Sequence, residues 1–148
     1  MNIEFDIDQA EFDATLMELF QKAKVPCQAA MADAFAMVVD NNFGQDGEDR
    51  PLDWVPLSKP YANRVKRPYA TLELDGELRS SVWVLPDGQD AAVVETVNPY
   101  ATAHQWGENN MPPRPFFPIT GPDGETVTPY TEAKCLDAGS VALERALR

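Results

Sequence analysis

Apolar positions recur at helical spacing in the first third of the chain. The first run occupies one helical face, at i, i+4, i+7 and i+8, and consists of Phe12, Leu16, Leu19 and Phe20. Asp8 is placed to cap this helix, which we expect to end near Lys24. Pro26 suits the first turn of a second helix that ends at Gly44, with an apolar face made of Met31, Phe35, Val38 and Val39. Alternatively, both segments form one long kinked helix.

Strand-like patterns appear at the N-terminus and in the middle of the chain. Ile3, Phe5 and Ile7 alternate with polar residues and predict a short, half-buried strand. The valine-rich residues 81–85 and 91–97 flank the sequence Pro-Asp-Gly-Gln-Asp, which has the turn chemistry expected between antiparallel strands. These residues therefore predict a β-hairpin.

The last third of the chain predicts a small β element followed by a helix. A turn at residues 121–124 separates residues 116–119 from residues 125–127, which favours a further strand or small hairpin. Thr128 and Pro129 supply an N-cap and a first-turn proline for a final helix. Its apolar positions, which Gly139 interrupts, include Leu136, Val141 and Leu143. The fold class is then α+β, with N-terminal helices and a C-terminal helix packed on a small, mainly antiparallel β-sheet.

The chain of 148 residues fits a single domain spanning residues 1–148. Between about residues 44 and 68 the periodicity is lost, and Gly, Asp, Glu, Pro and Arg dominate. A connection this long is uncommon in a compact domain unless it is functional or mobile. We expect a long irregular connection here, with partial disorder.

Charge limits the partners that this chain can have. Asp and Glu number 24 against 12 Lys and Arg, and the formal net charge of -12 opposes broad binding to DNA or to an anionic membrane. The N-terminal residues carry acids where a signal peptide would be basic and apolar, and the longest apolar stretch, residues 34–39, falls far short of the ~20 residues of a membrane span. We expect a soluble protein without membrane contact, intracellular when made.

One basic cluster stands against this acidic background, interleaved with tyrosines, and comprises Lys59, Arg64, Lys66 and Arg67. Such a cluster can touch DNA locally, or it can meet an acidic neighbouring subunit. The simpler interpretation is a solvated loop whose cations relieve the acidic surface, and the net charge favours that interpretation.

Signatures of catalysis and of cofactor binding are lacking. His104 is the only histidine, and no zinc motif or nucleophile elbow accompanies it. The glycines lack phosphate-loop spacing, and acidic pairs such as Glu48 and Asp49 fit a solvated face better than a Ca²⁺ site. Cys27 and Cys135 are expected to be buried, reduced thiols. We therefore expect no enzyme activity, no metal and no cofactor.

Four short motifs carry a resemblance to a known family. Residues 100–107, Tyr-Ala-Thr-Ala-His-Gln-Trp-Gly, and residues 111–117, Met-Pro-Pro-Arg-Pro-Phe-Phe, resemble the YAxxHQxG and MPxRPF signature of phage virion morphogenesis proteins. Residues 54–58 resemble the WxPLS element of that family, and residues 74–81 resemble its LxxxGxLxxS segment, with Asp75 where relatives often carry Ser or Thr. The order and spacing of the motifs are family-like over roughly residues 50 to 120.

The resemblance selects a set of motif or subunit-interface residues: Trp54, Leu57, Gly76, Leu78, Tyr100, His104, Gln105, Gly107, Pro112, Arg114, Pro115, Phe116 and Phe117. Trp54 and Leu57 are expected to anchor the connection, either on the domain itself or on an adjacent subunit. Arg114, held between prolines, suits a carboxylate within the chain or on a neighbour. His104 and Gln105 fit hydrogen-bonded core groups or a ring contact, with the core favoured.

The resemblance implies a structural protein of Mu-like or P2-like tailed phages that completes the tail and joins it to the head at the neck. Such a subunit works by assembly, as a homo-oligomeric ring (a hexamer is the first guess) with other neck and tail proteins as partners. DNA would pass through the ring without specific binding, along an acidic lumen. The expected location is the tail-head junction of the virion, reached through the host cytoplasm during assembly.

Three alternatives stay open. A tail terminator or head-closure component of the neck belongs to the same broad class. A small hydrolase built around His104 and an acidic module that mimics DNA belong to other classes.

Overall fold

The computed structural model describes residues 8–65, 71–73, 75–87, 91–121 and 124–148. The elements follow one another as α1 (Gln9–Asn42), α2 (Lys59–Val65), α3 (Glu77–Ser80), β1 (Val82–Asp87), β2 (Ala91–Thr96), α4 (Ala101–Trp106), β3 (Ile119–Thr120), β4 (Thr126–Val127) and α5 (Pro129–Ala146). The predicted α+β class is confirmed. The strand predicted from Ile3, Phe5 and Ile7 lies outside the described residues.

A single 34-residue helix, α1, replaces the two helices that the sequence favoured and confirms the long-helix alternative. Asp8 caps it as predicted, because its carboxylate accepts hydrogen bonds from the amides of Ala10 and Glu11 at 2.9 and 3.1 Å. Pro26 lies inside the helix on an exposed position and does not end it. The helix ends at Asn42, two residues before the predicted Gly44 cap.

The two halves of α1 differ in their surroundings. Residues 8–22 are all exposed, including the apolar face formed by Phe12, Leu16, Leu19 and Phe20. Burial begins at Ala23 and becomes complete at Val38 and Val39. Only the second half of α1 therefore belongs to the body of the domain, and the first half forms a projecting arm.

Both predicted hairpins form, each as a separate two-stranded antiparallel sheet. In the first hairpin Val82 pairs with Thr96 and Asp87 pairs with Ala91; the tip, residues 88–90, lies outside the described residues. In the second, Ile119 pairs with Val127. The residues that precede Ile119 in the predicted strand follow an irregular path because they fill the core.

The final helix α5 begins at Pro129 after the N-cap Thr128, as predicted. Its buried face is different from the predicted one and consists of Thr131, Cys135 and Gly139, at i, i+4 and i+8. The predicted apolar positions, Leu136, Val141 and Leu143, are all exposed.

Small side chains let α5 approach α1 closely. A Cβ atom on Gly139 would lie only 3.0 Å from Cγ of Met31. Gly139 is thus a helix-contact position, and its interpretation as an interruption of the apolar face is wrong.

The core lies where the second half of α1, α3, α4 and the segment after α4 meet. Its buried side chains are Val39, Phe43, Leu78, Ala101 and Phe116. Phe43 and Phe116 are in ring contact with centroids 5.2 Å apart, and Phe117 reaches Phe35 at 5.9 Å. All five of these core residues lie outside the connection, whose Trp54 is partly buried against them.

The connection is less irregular than predicted, because α2 lies within it. Hydrogen bonds between Asn42 and residues 48 and 49 join the start of the connection to the end of α1. None of the helices in the described residues has both the length and the apolar character that a bilayer span requires.

Candidate functional site

Gln105, on α4, is the buried polar centre of the family-like motifs. Its Oε1 accepts hydrogen bonds from the amides of Phe116 and Phe117, both at 3.0 Å, and its Nε2 donates to the carbonyl of Phe117 at 3.1 Å. One side chain thereby satisfies three main-chain groups of a segment that forms no sheet. The expectation of a hydrogen-bonded core group holds for Gln105.

Arg114 is buried and bonds to carbonyl oxygens, and the predicted carboxylate partner is wrong. Its Nε donates to the carbonyl of Val55 at 2.9 Å, and its Nη2 donates to the carbonyl of Pro56 at 3.3 Å. Burial lowers the pKa of the Arg114 guanidinium from its usual value. Arg114 therefore fastens the WxPLS segment to the MPxRPF segment through the backbone.

Trp54 ties the same two segments together from the other side. Its indole Nε1 donates to the carbonyl of Pro115 at 2.8 Å, and its ring packs edge-on against Phe43. The guanidinium of Arg50 lies 3.7 Å above the ring, a cation–π arrangement. The anchoring predicted for Trp54 is within the chain. We call this assembly of Trp54, Gln105, Arg114, Pro115, Phe116 and Phe117 the motif junction.

Asn42, which the sequence analysis did not single out, links the motif junction to the end of α1. Its Nδ2 donates to the carbonyls of Phe116 at 2.9 Å and Asp49 at 3.1 Å, and its Oδ1 accepts from the amides of Glu48 and Asp49. All the hydrogen-bonding capacity of this fully buried amide is used. An asparagine at the end of a helix is common, so the sequence carried little signal for this role.

Glu48 and Asp49 were expected on a solvated face, and that expectation is wrong. Asp49 caps α5 from outside the helix: its Oδ2 accepts from the amide of Thr131 at 3.2 Å and from the hydroxyls of Thr131 and Thr128. Glu48 binds the ammonium of Lys134, which lowers the pKa of the Glu48 carboxyl. The carboxylates thus neutralise the positive end of the helix dipole of α5.

His104 lies beside the motif junction and bonds there through its backbone. Its carbonyl accepts from the amide of Arg114 at 2.7 Å. Its Nδ1 is buried and, within the described residues, has no hydrogen-bond partner. Burial, with a smaller contribution from the charge of Arg114, lowers the pKa of the imidazole.

The remaining motif residues divide into core, turn and surface positions. Leu78 is buried in the core, Pro112 and Leu57 are partly buried, and Tyr100 is exposed. Gly107 has φ of 78°, and a Cβ there would lie 2.9 Å from the carbonyl of Met111, so the turn after α4 requires glycine.

The segment around Gly76 is fixed to α1 by an arginine that sequence reasoning missed. Arg79 forms a paired contact with Asp40, of 2.5 and 2.7 Å, and a third ion pair with Glu73 at 2.7 Å. The carboxylate of Asp75 accepts a hydrogen bond from the amide of Glu77, the first residue of α3, at 3.1 Å. Gly76 adopts the left-handed conformation, with φ of 78°.

The basic cluster is only partly described. Lys59 and Arg64 are exposed on α2, and the Arg64 guanidinium lies 5.2 Å from the centre of the Tyr61 ring. Lys66 and Arg67 lie outside the described residues. The exposure of the first two fits a solvated surface and a partner contact equally.

The structure places the candidate metal ligands and the two thiols as follows. Among the described residues, no group of three or more His, Cys, Asp or Glu side chains is placed to hold a metal ion. Both cysteines are free; Cys135 is buried, which raises the pKa of its thiol, whereas Cys27 is half-buried and not fully buried as predicted.

Comparison with known proteins found no family model, no curated protein and no solved structure that matches this chain.

Proposed function

We propose that this chain is a structural protein of a tailed-phage virion, which completes the tail and joins it to the head at the neck. The observation that carries the proposal is the use of the motif side chains. Gln105, Arg114 and Trp54 all bond to main-chain groups of the chain itself. Polar residues committed in this way build a rigid shape, which is what an assembly subunit requires.

The same observation argues against catalysis at the motifs. A catalytic base has to lie within reach of the proton that it removes and is usually oriented by another group. The Nδ1 of His104 is buried without such a partner among the described residues, and the guanidinium of Arg114 is occupied by carbonyls. We infer that the chain acts by assembly and is not an enzyme.

Charge supports a neck position near DNA without binding to it. With 24 acidic and 12 basic residues, a ring of these subunits would present mostly negative surface to a DNA duplex in its lumen. Like charge keeps the phosphates from adhering during passage. The exposed cations Lys59 and Arg64 would then serve contacts with acidic neighbouring subunits.

Deletion of the gene from the phage that encodes the chain tests this role. We expect electron microscopy of the lysate to show filled heads and separate tails of normal length, and purified chain added to that lysate to restore joined, infectious particles. A Gln105→Ala variant should fail to restore them if it loses the motif junction, whereas Gln45→Ala, on an exposed position, should succeed. Normal particles from the deletion phage would contradict the proposal.

The other neck roles give different particles in the same micrographs. A tail terminator would leave tails of uncontrolled length, and a head-closure component would leave heads that have lost their DNA. Either picture would keep the chain in the neck and change its position there.

A further inference from the structure

His104 and Arg114 bring two basic groups together at the motif junction. The amide of Arg114 donates to the carbonyl of His104 at 2.7 Å, which holds the two residues against each other. The Nδ1 atom of the His104 imidazole is buried and has no hydrogen-bond partner among the described residues. The guanidinium of Arg114 is close enough for its charge to act on the ring. A neutral imidazole fits this position better than an imidazolium does.

The three segments that meet at this point contain no carboxylate to balance a second positive charge. His104 is the only ionisable residue of α4, and Arg114 is the only one within residues 111–118. Residues 54–58 contain none, and Glu108, in the turn after α4, is exposed. The Arg114 guanidinium is buried and bonds to carbonyls, not to an anion. A proton on His104 would therefore place an uncompensated charge beside a buried charge of the same sign.

Protonation of His104 would also create a hydrogen-bond donor without an acceptor. Both ring nitrogens of an imidazolium carry a proton, so the buried Nδ1 becomes a charged N–H donor. A buried donor without an acceptor lowers stability, and the effect is larger when the donor is charged. Charge repulsion and the unpaired donor therefore both favour a rearrangement when His104 takes up a proton.

The part of the motif junction that can open most easily is the contact between Arg114 and the connection. Its guanidinium donates to the carbonyls of Val55 and Pro56 at 2.9 and 3.3 Å, and both of these residues are exposed. We call these two bonds the Arg114 contact. α4, in comparison, is held by the three hydrogen bonds of the buried Gln105. We propose that protonation of His104 opens the Arg114 contact and frees this part of the connection, while the helices keep their packing.

The direction of this pH dependence follows from the surroundings of the ring. Burial, and to a smaller extent the charge of Arg114, lower the pKa of His104 below its ordinary value of 6.5. The Arg114 contact is therefore closed at neutral pH and opens as the pH falls through this lowered pKa. The switch is a property of the isolated chain, so it holds or fails independently of the neck role.

NMR of the full chain, titrated from about pH 7.5 to about pH 5, tests the switch. His104 is the only histidine, so its imidazole signals are identified directly. The Nε–H of Arg114 and the carbonyl carbon of Val55 are the donor and the acceptor of the Arg114 contact, and the indole N–H of Trp83, on β1, is the internal control. We expect exchange of the Arg114 Nε–H with water to become faster as His104 titrates, although acid by itself slows such exchange. The Val55 carbonyl signal should shift with the same midpoint, whereas the Trp83 signal and the far-UV circular dichroism should stay constant.

His104→Gln is the matched variant, because glutamine is polar and takes up no proton in this range. Its Arg114 and Val55 signals should not respond to the titration; if the variant does not fold, the coincidence of the midpoints in the wild type decides the test. A His104 that stays neutral down to pH 5, an imidazolium that turns to solvent while the Arg114 contact persists, or an equal response in His104→Gln would overturn the inference. Loss of circular dichroism at the midpoint of His104 would overturn it as well, because the whole fold would then have opened.

Discussion

At the scale of single residues, the conformation of the family-like motifs depends on buried main-chain amides and carbonyls that require hydrogen-bond partners. The segment after α4 is rich in proline and cannot form a regular ladder, yet Phe116 and Pro118 are fully buried. Unpaired buried amides and carbonyls cost about 1–3 kcal/mol each. Gln105 and Asn42 remove that cost by bonding to Phe116 and Phe117. The glutamine and asparagine are thus as structural as the phenylalanines.

Replacement of Gln105 by Ala should test this directly. The change leaves the amides of Phe116 and Phe117 without a partner, while the Phe117 carbonyl keeps its bond from the amide of Ile119, and we expect the free energy of unfolding to fall by roughly 2–4 kcal/mol. Urea unfolding followed by circular dichroism measures it. The control Gln45→Ala, on an exposed position, should stay within about 0.5 kcal/mol of the wild type. A Gln105→Ala variant as stable as the control would contradict the role assigned to Gln105.

His104 predicts a dependence of stability on pH. Its pKa in the folded chain lies below the ordinary value of 6.5, so on acidification the unfolded chain takes up the proton first. The stabilisation is present above pH 6.5 and is lost as the pH falls through the lower, folded pKa. His104 is the only histidine in the chain. The pKa values of the Asp40 and Glu48 carboxyls are also lowered, but their ordinary values are 3.8 and 4.5, so these two groups change the stability at lower pH than His104 does.

The window between about pH 6.5 and pH 5 therefore belongs to His104. Urea unfolding at intervals across it should show falling stability for the wild type and a flatter profile for His104→Gln. Parallel profiles would show that the imidazole is not protected from protonation in the fold.

At the scale of elements, the start of α5 is built by a loop that lies 79 positions earlier in the sequence. Thr128 has the residue type of an N-cap, but its side chain makes no bond to the helix amides and instead donates to Asp49. The carboxylate of Asp49 then performs the capping. Local sequence located this helix end and its N-cap residue Thr128 correctly, and it missed that the carboxylate of Asp49 takes the place of the Thr128 side chain as the acceptor for the helix amide.

Replacement of Asp49 by Ala should lower the free energy of unfolding by roughly 1–3 kcal/mol, because the helix loses its cap and two hydroxyls lose an acceptor. Asp46→Ala, an exposed carboxylate of the same loop, is the matched control and should change little. Chemical unfolding of the two variants side by side measures the difference. Equal stabilities would place the capping of α5 elsewhere.

The secondary structure was predictable where local signals were strong and tertiary contacts agreed with them. The first hairpin and the cap by Asp8 followed from alternation and turn chemistry. The break at Pro26 did not occur, because an exposed helix position can lose one hydrogen bond to solvent while both flanks remain helical. The buried face of α5 was missed because its close contact with α1 selects small residues such as Gly139, which hydrophobic periodicity cannot register.

The site was predictable only in part, for a physical reason. Motif residues such as Trp54 and Gln105 were identified from the sequence. Their hydrogen-bond partners are backbone carbonyls of other segments, and a pattern of side chains does not predict such partners. Arg114 illustrates this point, since a carboxylate is the usual partner of arginine and carbonyls took its place. Asn42 and Arg79 gave no signal because their residue types are ordinary at exposed helix positions.

At the scale of the whole molecule, the chain has a packed body and an arm whose apolar side chains are exposed. Helical periodicity correctly placed Phe12, Leu16 and Phe20 on one face, and only the structure revealed that these side chains remain about half exposed. A partner surface can cover such a face with little loss of conformational entropy, because the helix is already formed. This architecture suits a subunit that joins others, and the acidic balance of the chain suits passage of DNA.

Mass spectrometry of finished particles tests the central claim most directly. The proposed function makes the chain the product of a tailed phage; virions of that phage would be purified by density gradient, and their proteins would be quantified against the major tail protein. We predict peptides of this chain in the purified virions, in a few copies per particle, as a ring at the neck requires. A chain abundant in the lysate and missing from purified, infectious virions would contradict the account.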